Sequence, residues 1–294
     1  MEIFGIPLQA FLGQLMLGLV NGAFYAMLSL GLAVIFGLLD IVNFAHGALY
    51  MVGAFAAWIL LDKFGINFWL ALVLAPLIVG ALGVAMERAF LKRLYGLDPL
   101  YGLLLTFGVA LVLEGVFRDQ FGVSGQSYPV PELLSGSTNL GFMILPNYRA
   151  FVVLASVLVC LGTWYLIERT RLGAYLRAGT ENARLVQAFG VNVPLMVMLT
   201  YGAGSALAGL AGVLAAPIIQ VTPLMGSNLV IVVFAVVVIG GMGSILGSVV
   251  TGLGLGVIEG LTRVFYPEAS SVVVFVVMVI VLILRPTGLF GKEA

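Results

Sequence analysis

Long apolar runs separated by short polar stretches make up this chain. No charged residue lies between Glu2 and Asp40, and none lies between Arg184 and Glu259. A helix needs about 20 apolar residues, at a rise of about 1.5 Å each, to cross the hydrocarbon of a bilayer. The pattern therefore predicts about nine apolar segments (eight to ten), at about 8–37, 41–61, 67–90, 100–117, 149–168, 194–217, 228–240, 244–263 and 270–285.

The expected fold is an all-α, polytopic transmembrane helix bundle that forms a single domain over residues 1–294. Two interruptions blur the number of segments. The stretch 216–228 holds Pro217 and Pro223, and the stretch 240–244 is rich in glycine. Such interruptions at membrane depth are typical of broken or re-entrant helices. An ordinary exterior loop over 216–228 fits equally well.

The composition agrees with a lipid environment. Of 294 residues, 62% are hydrophobic and 9% are charged, with a mean hydropathy of +1.19, whereas a soluble domain has about 25% charged residues. The 13 basic and 13 acidic residues cancel, which removes the electrostatic basis for a nucleic-acid partner. The lipid bilayer is the partner that this composition predicts.

Motifs for enzyme chemistry or cofactor binding are missing from the sequence. It contains no G-x-x-x-x-G-K-[ST] nucleotide loop and no H-E-x-x-H. Cys160 is the single cysteine and His46 the single histidine, so neither a disulfide framework nor a metal site is expected. We predict that this chain is no enzyme and holds no cofactor. The positive n-region of a secretory signal is also missing after Met1, so we expect the apolar amino terminus to be retained.

Basic residues predict the orientation in the membrane, because cytoplasmic loops carry an excess of Lys and Arg. Three clusters follow the third, fifth and last apolar segments. They hold nine of the 13 basic residues: Arg88, Lys92, Arg93, Arg169, Arg171, Arg177, Arg184, Arg285 and Lys292. If these clusters are cytoplasmic, the amino terminus lies outside and the carboxyl terminus inside. The stretch 118–148, rich in Gly, Ser and Pro, is then an exterior loop.

Small residues recur at the spacing of helix packing. Three sets have this spacing: Gly252, Gly256 and Gly260; Ser205 and Gly209; Ala208 and Gly212. Such stripes let helix backbones approach closely in a membrane. They predict close packing either inside one bundle or at a subunit interface.

Two acids inside apolar segments each precede an arginine by four residues. The pairs are Glu114 with Arg118 and Glu259 with Arg263. In a helix the members of each pair share a face in the favoured acid-first order. We predict two ion pairs near helix ends, which serve either as structural anchors or as part of a transport pathway.

Polar residues also interrupt the apolar pattern between the first two segments, where Asp40, Asn43 and His46 occur together. A polar group at membrane depth needs a partner and marks a candidate functional site. Asn43 and His46 are three residues apart and would share a face of a helix. A buried packing histidine is the alternative. Gln220 and Asn228, in the interruption at 216–228, complete the set of candidate pathway residues.

The most informative polar stretch covers residues 169–194. Thr180 fits an N-cap and Gly190 fits a helix stop, so the pattern predicts one short amphipathic helix of about two and a half turns between them. Its apolar stripe consists of Leu185, Val186 and Phe189, and its opposite face carries Glu181 and Arg184. A helix this short is marginal alone in water. We therefore expect it to dock, either on the inner membrane surface or in a groove of a cytoplasmic protein.

Three ordered groups of residues resemble the signatures of the membrane permeases of branched-chain amino-acid ABC transporters. The first group is Gly31 to Gly37 followed by Ile41 to Gly47. The second is Arg171-Leu-Gly, Arg177-Ala178, Glu181, Ala188 and Gly190-Val-Asn192. The third is Val238 to Gly247, Gly256 to Glu259 and Arg285 to Phe290. The resemblance runs over about residues 10–290 and is greatest to the shorter, first permease of a heterodimeric pair.

This resemblance implies a permease subunit of an ATP-driven importer in the bacterial cytoplasmic (inner) membrane. The implied partners are a second homologous permease, two cytoplasmic ATP-binding subunits that use ATP and Mg²⁺, and a soluble substrate-binding protein. The residues implied to press into the ATPase groove are Arg177, Thr180, Glu181, Arg184, Leu185, Ala188, Phe189 and Gly190. Branched-chain amino acids are the implied substrates, with urea, amides or aromatic carboxylates as alternatives.

Two other classes of transport protein stay open on the residues alone. A gradient-driven secondary transporter needs ion- or proton-coupling groups, and the near absence of acids in the middle of the segments disfavours it. A channel would conduct passively. The uncharged stretch 185–258 offers no fixed charge to hold an amino acid. We therefore expect substrate selectivity to reside mainly in the separate binding protein.

Overall fold

The computed structural model describes residues 2–3, 6–39, 43–141 and 143–291. Met1, Asp40, Ile41 and Lys292, to which parts of the sequence interpretation refer, lie outside the described residues. Within the described ranges the chain forms eleven α-helices and two short β-hairpins. The all-α prediction is confirmed.

The elements follow one another along the chain with short connections. The helices are α1 (Leu8–Leu39), α2 (Ala45–Phe64), α3 (Phe68–Ala89), α4 (Pro99–Phe121), α5 (Asn147–Arg169), α6 (Arg171–Glu181), α7 (Ala183–Ala188), α8 (Val193–Ala215), α9 (Ser227–Gly240), α10 (Ile245–Phe265) and α11 (Val273–Leu284). In the hairpins, β1 (Glu2–Ile3) pairs with β2 (Ile6–Pro7), and β3 (Ser137–Asn139) pairs with β4 (Ile144–Pro146), both antiparallel.

Each of the nine predicted apolar segments contains one helix. Seven of these helices, in the part of the chain that the structure describes, are long and apolar enough to cross a membrane. The other two, α9 and α11, have 14 and 12 residues, or about 21 and 18 Å, which is less than the hydrocarbon thickness of about 30 Å. The two predicted interruptions flank α9, so the sequence located this short helix correctly.

Capping residues explain where several helices begin and end. The side chains of Asn67, Asp98, Asn192 and Ser244 each accept a backbone N–H of the first turn, at 2.9–3.1 Å, and so start α3, α4, α8 and α10. Such caps satisfy N–H groups that a helix leaves without partners. Gly65, with a φ of 64°, ends α2 in the left-handed conformation that glycine adopts without strain.

The chain divides into two compact units. The first comprises Met1–Ser29, Pro129–Cys160 and Val232–Ala294, and the second comprises Leu30–Tyr128 and Leu161–Ile231. In the first unit, α10 packs against the first half of α1 through the predicted glycine stripe. A Cβ added to Gly256 would clash with the backbone of Gly22, and one added to Gly252 would lie 2.5 Å from the Ala26 nitrogen. This stripe therefore packs two helices of one chain.

The second unit is built around α8, which packs against α2 and α3 through the other small residues. A Cβ on Gly212 would clash with the Tyr50 carbonyl, and one on Gly83 would clash with Ser205. The first half of α2 is buried throughout, from Ala45 to Phe55. Close backbone contact of this kind replaces the hydrophobic driving force that lipid cannot supply.

The predicted exterior stretch 118–148 is partly helical, because α4 continues to Phe121. Within the second unit, Gln126 and Val221 then exchange two backbone hydrogen bonds of 2.9 Å each, and the Tyr128 ring packs edge-on against Phe68 at 6.3 Å. Burial raises the pKa of Tyr128 to about 12, so its hydroxyl stays protonated. Within the first unit, the stretch continues as the β3–β4 hairpin.

Candidate functional site

Asn43 and His46 are buried in the second unit, but they do not share a helical face. Asn43 precedes α2, donates from Nδ2 to the Tyr201 hydroxyl at 2.9 Å and accepts the Ala45 N–H at 3.1 Å. The His46 N–H is bonded to the Asn43 carbonyl at 3.3 Å. The prediction of a shared face is wrong because Asn43 uses its side chain to start the helix. A turn, and not a helix surface, brings the two residues together.

The backbone of α1 lies close to the imidazole of His46, and the start of α2 lies close to the turn before α9. A Cβ on Gly31 would lie 2.9 Å from the His46 Cε1, and one on Gly47 would lie 2.6 Å from the Gly226 carbonyl oxygen. Tyr201, which binds Asn43, is the ninth residue of α8, about 12 Å along that helix from its first residue. The cluster thus brings polar groups together well inside a membrane-spanning helix, where internal hydrogen bonds must satisfy them.

The other two predicted pathway residues differ from this cluster. Gln220 is exposed and packs against Gly125, in the region where the ring of Phe121 stacks on Phe55 at 5.1 Å. Phe55 lies nine residues beyond His46 on α2, about 14 Å along the helix. Asn228 is also exposed, in the first turn of α9. The structure therefore brings Asn43 and His46 together and leaves Gln220 at a different level.

The predicted single helix over 180–190 is two helices. Thr180 lies inside α6, where its hydroxyl donates to the Arg177 carbonyl at 2.7 Å. The N-cap of α7 is Asn182, whose side chain accepts the Leu185 N–H at 3.0 Å. Asn is among the strongest N-cap residues, and it starts a new helix here by ending the previous one. Gly190 follows α7 with a φ of 83°, as a helix stop requires.

We call residues 171–190 the coupling segment. The predicted apolar stripe of α7 is divided, because Val186 is buried while Leu185 and Phe189 are 55% and 80% exposed. The remaining residues implied by the family resemblance are exposed as well: Arg177, Thr180, Glu181, Arg184, Ala188 and Gly190. Two large apolar side chains thus project from a polar surface.

Contacts with the end of α5 hold the coupling segment in place. Arg177 donates from Nη1 to the Ile167 carbonyl at 2.8 Å and pairs with Glu168 at 3.6 Å. A Cβ on Gly173 would clash with the Ile167 carbonyl. Gly173 therefore lets α6 fold back on α5, which is a structural reason for the Arg171-Leu-Gly sequence that the sequence analysis did not supply.

A cavity of about 460 Å³ lies behind the coupling segment. Gly179, Thr180, Ala183 and Gln187 line one side of it. The opposite side is formed by the end of α3 and the connection to α4, including Glu87, Lys92, Tyr95 and Asp98. The coupling segment thus has an exposed outer surface and an inner surface that faces open space.

Glu87 is the most buried acid of this cavity, at 2% exposure. Its Oε1 accepts a hydrogen bond of 2.8 Å from the Tyr95 hydroxyl. Burial and this bond raise the pKa of Tyr95 well above its ordinary value, although part of the ring is exposed. Tyr95 therefore remains a donor at neutral pH. Sequence reasoning missed Glu87 because it stands beside Arg88 in what reads as a solvated polar end of a helix.

One of the two predicted ion pairs, that of Glu259 with Arg263, is confirmed, and it lies in the first unit. Glu259 pairs with Arg263 and accepts a hydrogen bond of 2.7 Å from the Tyr25 hydroxyl. Glu114 and Arg118 form no ion pair among the residues described. Tyr25 explains the difference in part, since it buries Glu259 against α1, whereas Glu114 stays on the helix surface.

The carboxyl-terminal signature lies against the glycine turn between α9 and α10. Leu289 and Phe290 donate backbone N–H groups to the Ile239 and Gly240 carbonyls, at 2.8 and 3.1 Å. A Cβ on Gly288 would lie 2.6 Å from Gly241. The signatures at 238–247 and 285–290, about 40 residues apart in sequence, thus form one structural feature. Their positions in the sequence did not predict this contact.

Comparison with known proteins supports the family resemblance that the sequence motifs indicate. A family model described as "Branched-chain amino acid transport system / permease component" matches residues 14–282. The chain belongs to this family. It is similar to the high-affinity branched-chain amino acid transport system permease protein BraD of Pseudomonas aeruginosa, with 32% identity over 96% of both chains. LivH of Escherichia coli, with the same description, is 29% identical over 96% of both chains.

The longer permease of the LivH–LivM type also matches. LivM of Salmonella typhimurium is 29% identical over 90% of this chain but over 67% of its own length. The prediction of the shorter permease type is therefore confirmed. Permeases of this family are translocation subunits of ABC transporters, and ATP hydrolysis belongs to a separate subunit, so this chain is not an enzyme.

Proposed function

We propose that this chain is one half of the permease of an ATP-driven importer in the bacterial inner membrane, with branched-chain amino acids or related small solutes as substrates. A second homologous permease, two ATP-binding subunits and a substrate-binding protein complete the assembly. ATP and Mg²⁺ act at the ATP-binding subunits. The relatives BraD and LivH support the substrate class, and the similarity to both LivH and LivM supports a pair of homologous permeases.

The amino terminus is outside and the carboxyl terminus inside in this proposal. Lys92, from the basic cluster after α3, and Gly179, Thr180, Ala183 and Gln187 of the coupling segment line the same cavity, so these two regions lie at one end of the second unit. The contact of Tyr128 with Phe68, where α3 begins, lies at the other end of that helix. An excess of Lys and Arg at one end is typical of the cytoplasmic side.

The observation that carries the proposal is the exposure of Leu185 and Phe189 on the coupling segment. Large apolar side chains that project from a polar surface are typical of the anchors of a protein interface. Glu181 and Arg184 beside them offer charges for orientation. We propose that these residues, with Arg177, Thr180, Ala188 and Gly190, bind a groove of an ATP-binding subunit.

Movement of the coupling segment would reach the transmembrane helices through the cavity behind it. Docking of a partner on the outer surface would press Thr180 and Gln187 toward Glu87 and Tyr95, at the end of α3. Because α3 packs closely on α8, a shift of its end would be passed to the helix that carries Tyr201. ATP binding changes the state of the permease only if the two states make different contacts with the ATPase.

We propose that Asn43, His46, Gln220 and Asn228 line the path of the solute. Asn43 and His46 are buried in this conformation, so they would contact a solute only after α1, α2 and α8 separate. Asn228 and Gln220 are exposed and would act at other points of the path. Asn43, Gln220 and Asn228 have uncharged amide side chains, which suits a path that holds its solute weakly.

The coupling assignment is tested by Phe189→Asp in the assembled importer. A charge in a buried interface anchor should cost at least about 1.4 kcal/mol, and uptake and substrate-stimulated ATP hydrolysis should fall about tenfold or more. Glu181→Lys should weaken coupling less. Leu133→Asp is the matched control, because Leu133 is 79% exposed, lies four residues before β3 and is outside the coupling segment.

Normal uptake and normal copurification of the ATP-binding subunit in Phe189→Asp would remove the docking assignment. Absence of any ATPase subunit in the purified native assembly would remove the importer proposal itself. Uptake that continues without ATP, on an ion gradient, would favour a secondary transporter.

The pathway assignment is tested by His46→Ala and Asn228→Ala. We expect uptake per inserted complex to fall about threefold or more, or about 0.7 kcal/mol, while the amount of inserted complex stays near that of the unaltered protein for Asn228→Ala. Uptake assays normalised to complex in the membrane measure both quantities. Unchanged uptake per complex would leave these residues with a packing role.

A further inference from the structure

A second cavity, of about 510 Å³, opens beside the junction of α5 and α6 in the second unit. Residues of α5, α6 and α8 form most of its wall. The wall is aliphatic apart from Thr163 and Thr200, and the Thr200 hydroxyl already donates to the Met196 carbonyl at 2.8 Å. So few polar groups do not suit an amino acid, whose charges need partners, but they suit a hydrocarbon chain.

The length of this cavity matches one leaflet of a bilayer. Met196 and Leu210 both line it and lie 14 residues apart on α8, or about 21 Å. A bilayer is about 40–45 Å thick with its headgroups, so one leaflet is about 20–22 Å. Leu166, Leu172 and Leu199 in the wall are each more than half exposed. The cavity is thus an open groove that a lipid can enter from the side.

Two arginines stand where the groove meets the end of α5. Arg169 follows the lining residue Ile167 by two positions, and Arg171 directly precedes the lining residue Leu172. The nearby acid Glu168 is already paired with Arg177 at 3.6 Å. Arg169 and Arg171 form no ion pair among the residues described. Two arginines without an ion pair therefore adjoin, in sequence, the residues that line this end of the apolar groove.

Trp164, which follows the lining residue Thr163 directly in sequence, contacts the first of these arginines. The Arg169 guanidinium lies 5.7 Å from the centre of the Trp164 ring. Trp is enriched at the boundary between hydrocarbon and water, and basic residues at cytoplasmic helix ends attract anionic lipids by about 1 kcal/mol each. The apolar wall of the groove, its length along α8 and the two arginines all suit a ligand with a hydrocarbon chain and a negative charge.

We infer that this groove binds an anionic phospholipid of the inner leaflet. One acyl chain lies along the aliphatic wall of α8, and the phosphate lies at Arg169 and Arg171. The inference rests on the orientation given under the proposed function, in which this end of α5 faces the cytoplasm. Because the groove borders α6, the lipid also supports the helix that leads into the coupling segment.

The test measures lipid binding to the full chain in detergent by native mass spectrometry after removal of native lipid. Dioleoylphosphatidylglycerol and dioleoylphosphatidylcholine, which differ in charge but not in acyl chains, are added separately. We expect one bound phosphatidylglycerol and at least tenfold weaker binding of phosphatidylcholine. The double variant Arg169→Gln/Arg171→Gln should bind phosphatidylglycerol about 30-fold more weakly, at about 1 kcal/mol for each charge.

Three further variants separate charge, groove and folding. Arg171→Lys keeps the charge and should bind phosphatidylglycerol within about twofold of the unaltered chain. Ala203→Trp fills the groove and should remove binding while leaving both arginines in place. Arg93→Gln is the control, because Arg93 is an exposed arginine on the same proposed side that follows α3 and is not near any residue of the groove wall in sequence. It should change nothing.

Equal binding of the two lipids would overturn the inference, as would unchanged binding in both the double variant and Ala203→Trp. A photocrosslinking residue at Leu199 that captures the second permease instead of phospholipid in the assembled importer would also overturn it. The measurement on the isolated chain needs no ATPase and no substrate. Failure of lipid binding would therefore leave the importer proposal intact, and failure of ATP-dependent uptake would leave the lipid result intact.

Discussion

Two buried glutamates, one in each compact unit, are held in different ways. Glu259 and Glu87 each accept a hydrogen bond from a tyrosine, Tyr25 at 2.7 Å and Tyr95 at 2.8 Å. Glu259 is also paired with Arg263. Glu87 has no basic side chain within ion-pair distance among the residues that the structure describes, and it lines a cavity.

The different partners follow from spacing along a helix. Arg263 follows Glu259 by four residues and lies on the same face, whereas Arg88 follows Glu87 by one residue and points elsewhere. A buried carboxylate with a cation is a fixed anchor, since removing either partner leaves an uncompensated charge. A buried carboxylate that faces a cavity can exchange its partner when neighbouring residues move. The comparison thus separates an anchor of α1 on α10 from a group suited to coupling.

The largest expected effect comes from forcing the anchor apart with Gly256→Leu. Its side chain would clash with the Gly22 backbone and push α1 away from α10, which would break the Tyr25–Glu259 bond. Overpacking at this point should cost about 3 kcal/mol or more. Thermal unfolding of the purified chain, followed by size-exclusion chromatography, measures the loss.

Gly254→Leu is the matched control for this change. A Cβ on Gly254 meets no atom within 4 Å, so the same substitution should alter the free energy of unfolding by less than about 0.5 kcal/mol. Equal stability of the two variants would mean that close packing of α1 on α10 does not hold the anchor.

A smaller effect is expected from Arg263→Leu. This variant leaves Glu259 with a tyrosine hydrogen bond and no ion-pair partner, which is the situation of Glu87. The side chain of Glu259 is 8% exposed and that of Arg263 is 42% exposed. Because water reaches the arginine, we expect a loss of about 2 kcal/mol and not the 3–5 kcal/mol of a fully buried pair. The double variant with Glu259→Leu should recover at least about half of it. A double variant less stable than the single one would contradict the anchor.

The smallest effect on stability, but a measurable one on coupling, is expected from Glu87→Gln. The amide still accepts the Tyr95 hydrogen bond, so the free energy of unfolding should change by less than about 0.5 kcal/mol. Substrate-stimulated ATP hydrolysis of the assembled importer should fall about fivefold, or about 1 kcal/mol. Tyr95→Phe should act in the same direction.

Tyr101→Phe is the control for the coupling experiment, because Tyr101 is an exposed tyrosine near the start of α4 that does not line the cavity. Full coupling in both Glu87→Gln and Tyr95→Phe would mean that Glu87 is a structural residue like Glu259. The comparison between the two acids would then lose its functional meaning.

Much of the fold could be predicted because lipid leaves few choices to an apolar segment. The nine segments, the glycine-rich interruption at 240–244 and the short apolar segment between the two interruptions were all evident in the pattern. The candidate site was predicted less well. Asn43 and His46 are together as expected, but Asn43 starts a helix instead of lying on it, and Thr180 lies inside α6 because Asn182 is the stronger cap.

The sequence by itself determined what depends on neighbours within about one helical turn or on the length of an apolar run. The ion pair of Glu259 with Arg263 and the stop at Gly190 are of this kind, because spacing and backbone preference act locally. Only the tertiary structure decided that Asn43 meets Tyr201, that Glu87 faces a cavity behind the coupling segment, and that Leu289 binds the α9–α10 turn. These contacts join residues far apart in the chain, and close packing of whole helices selects them.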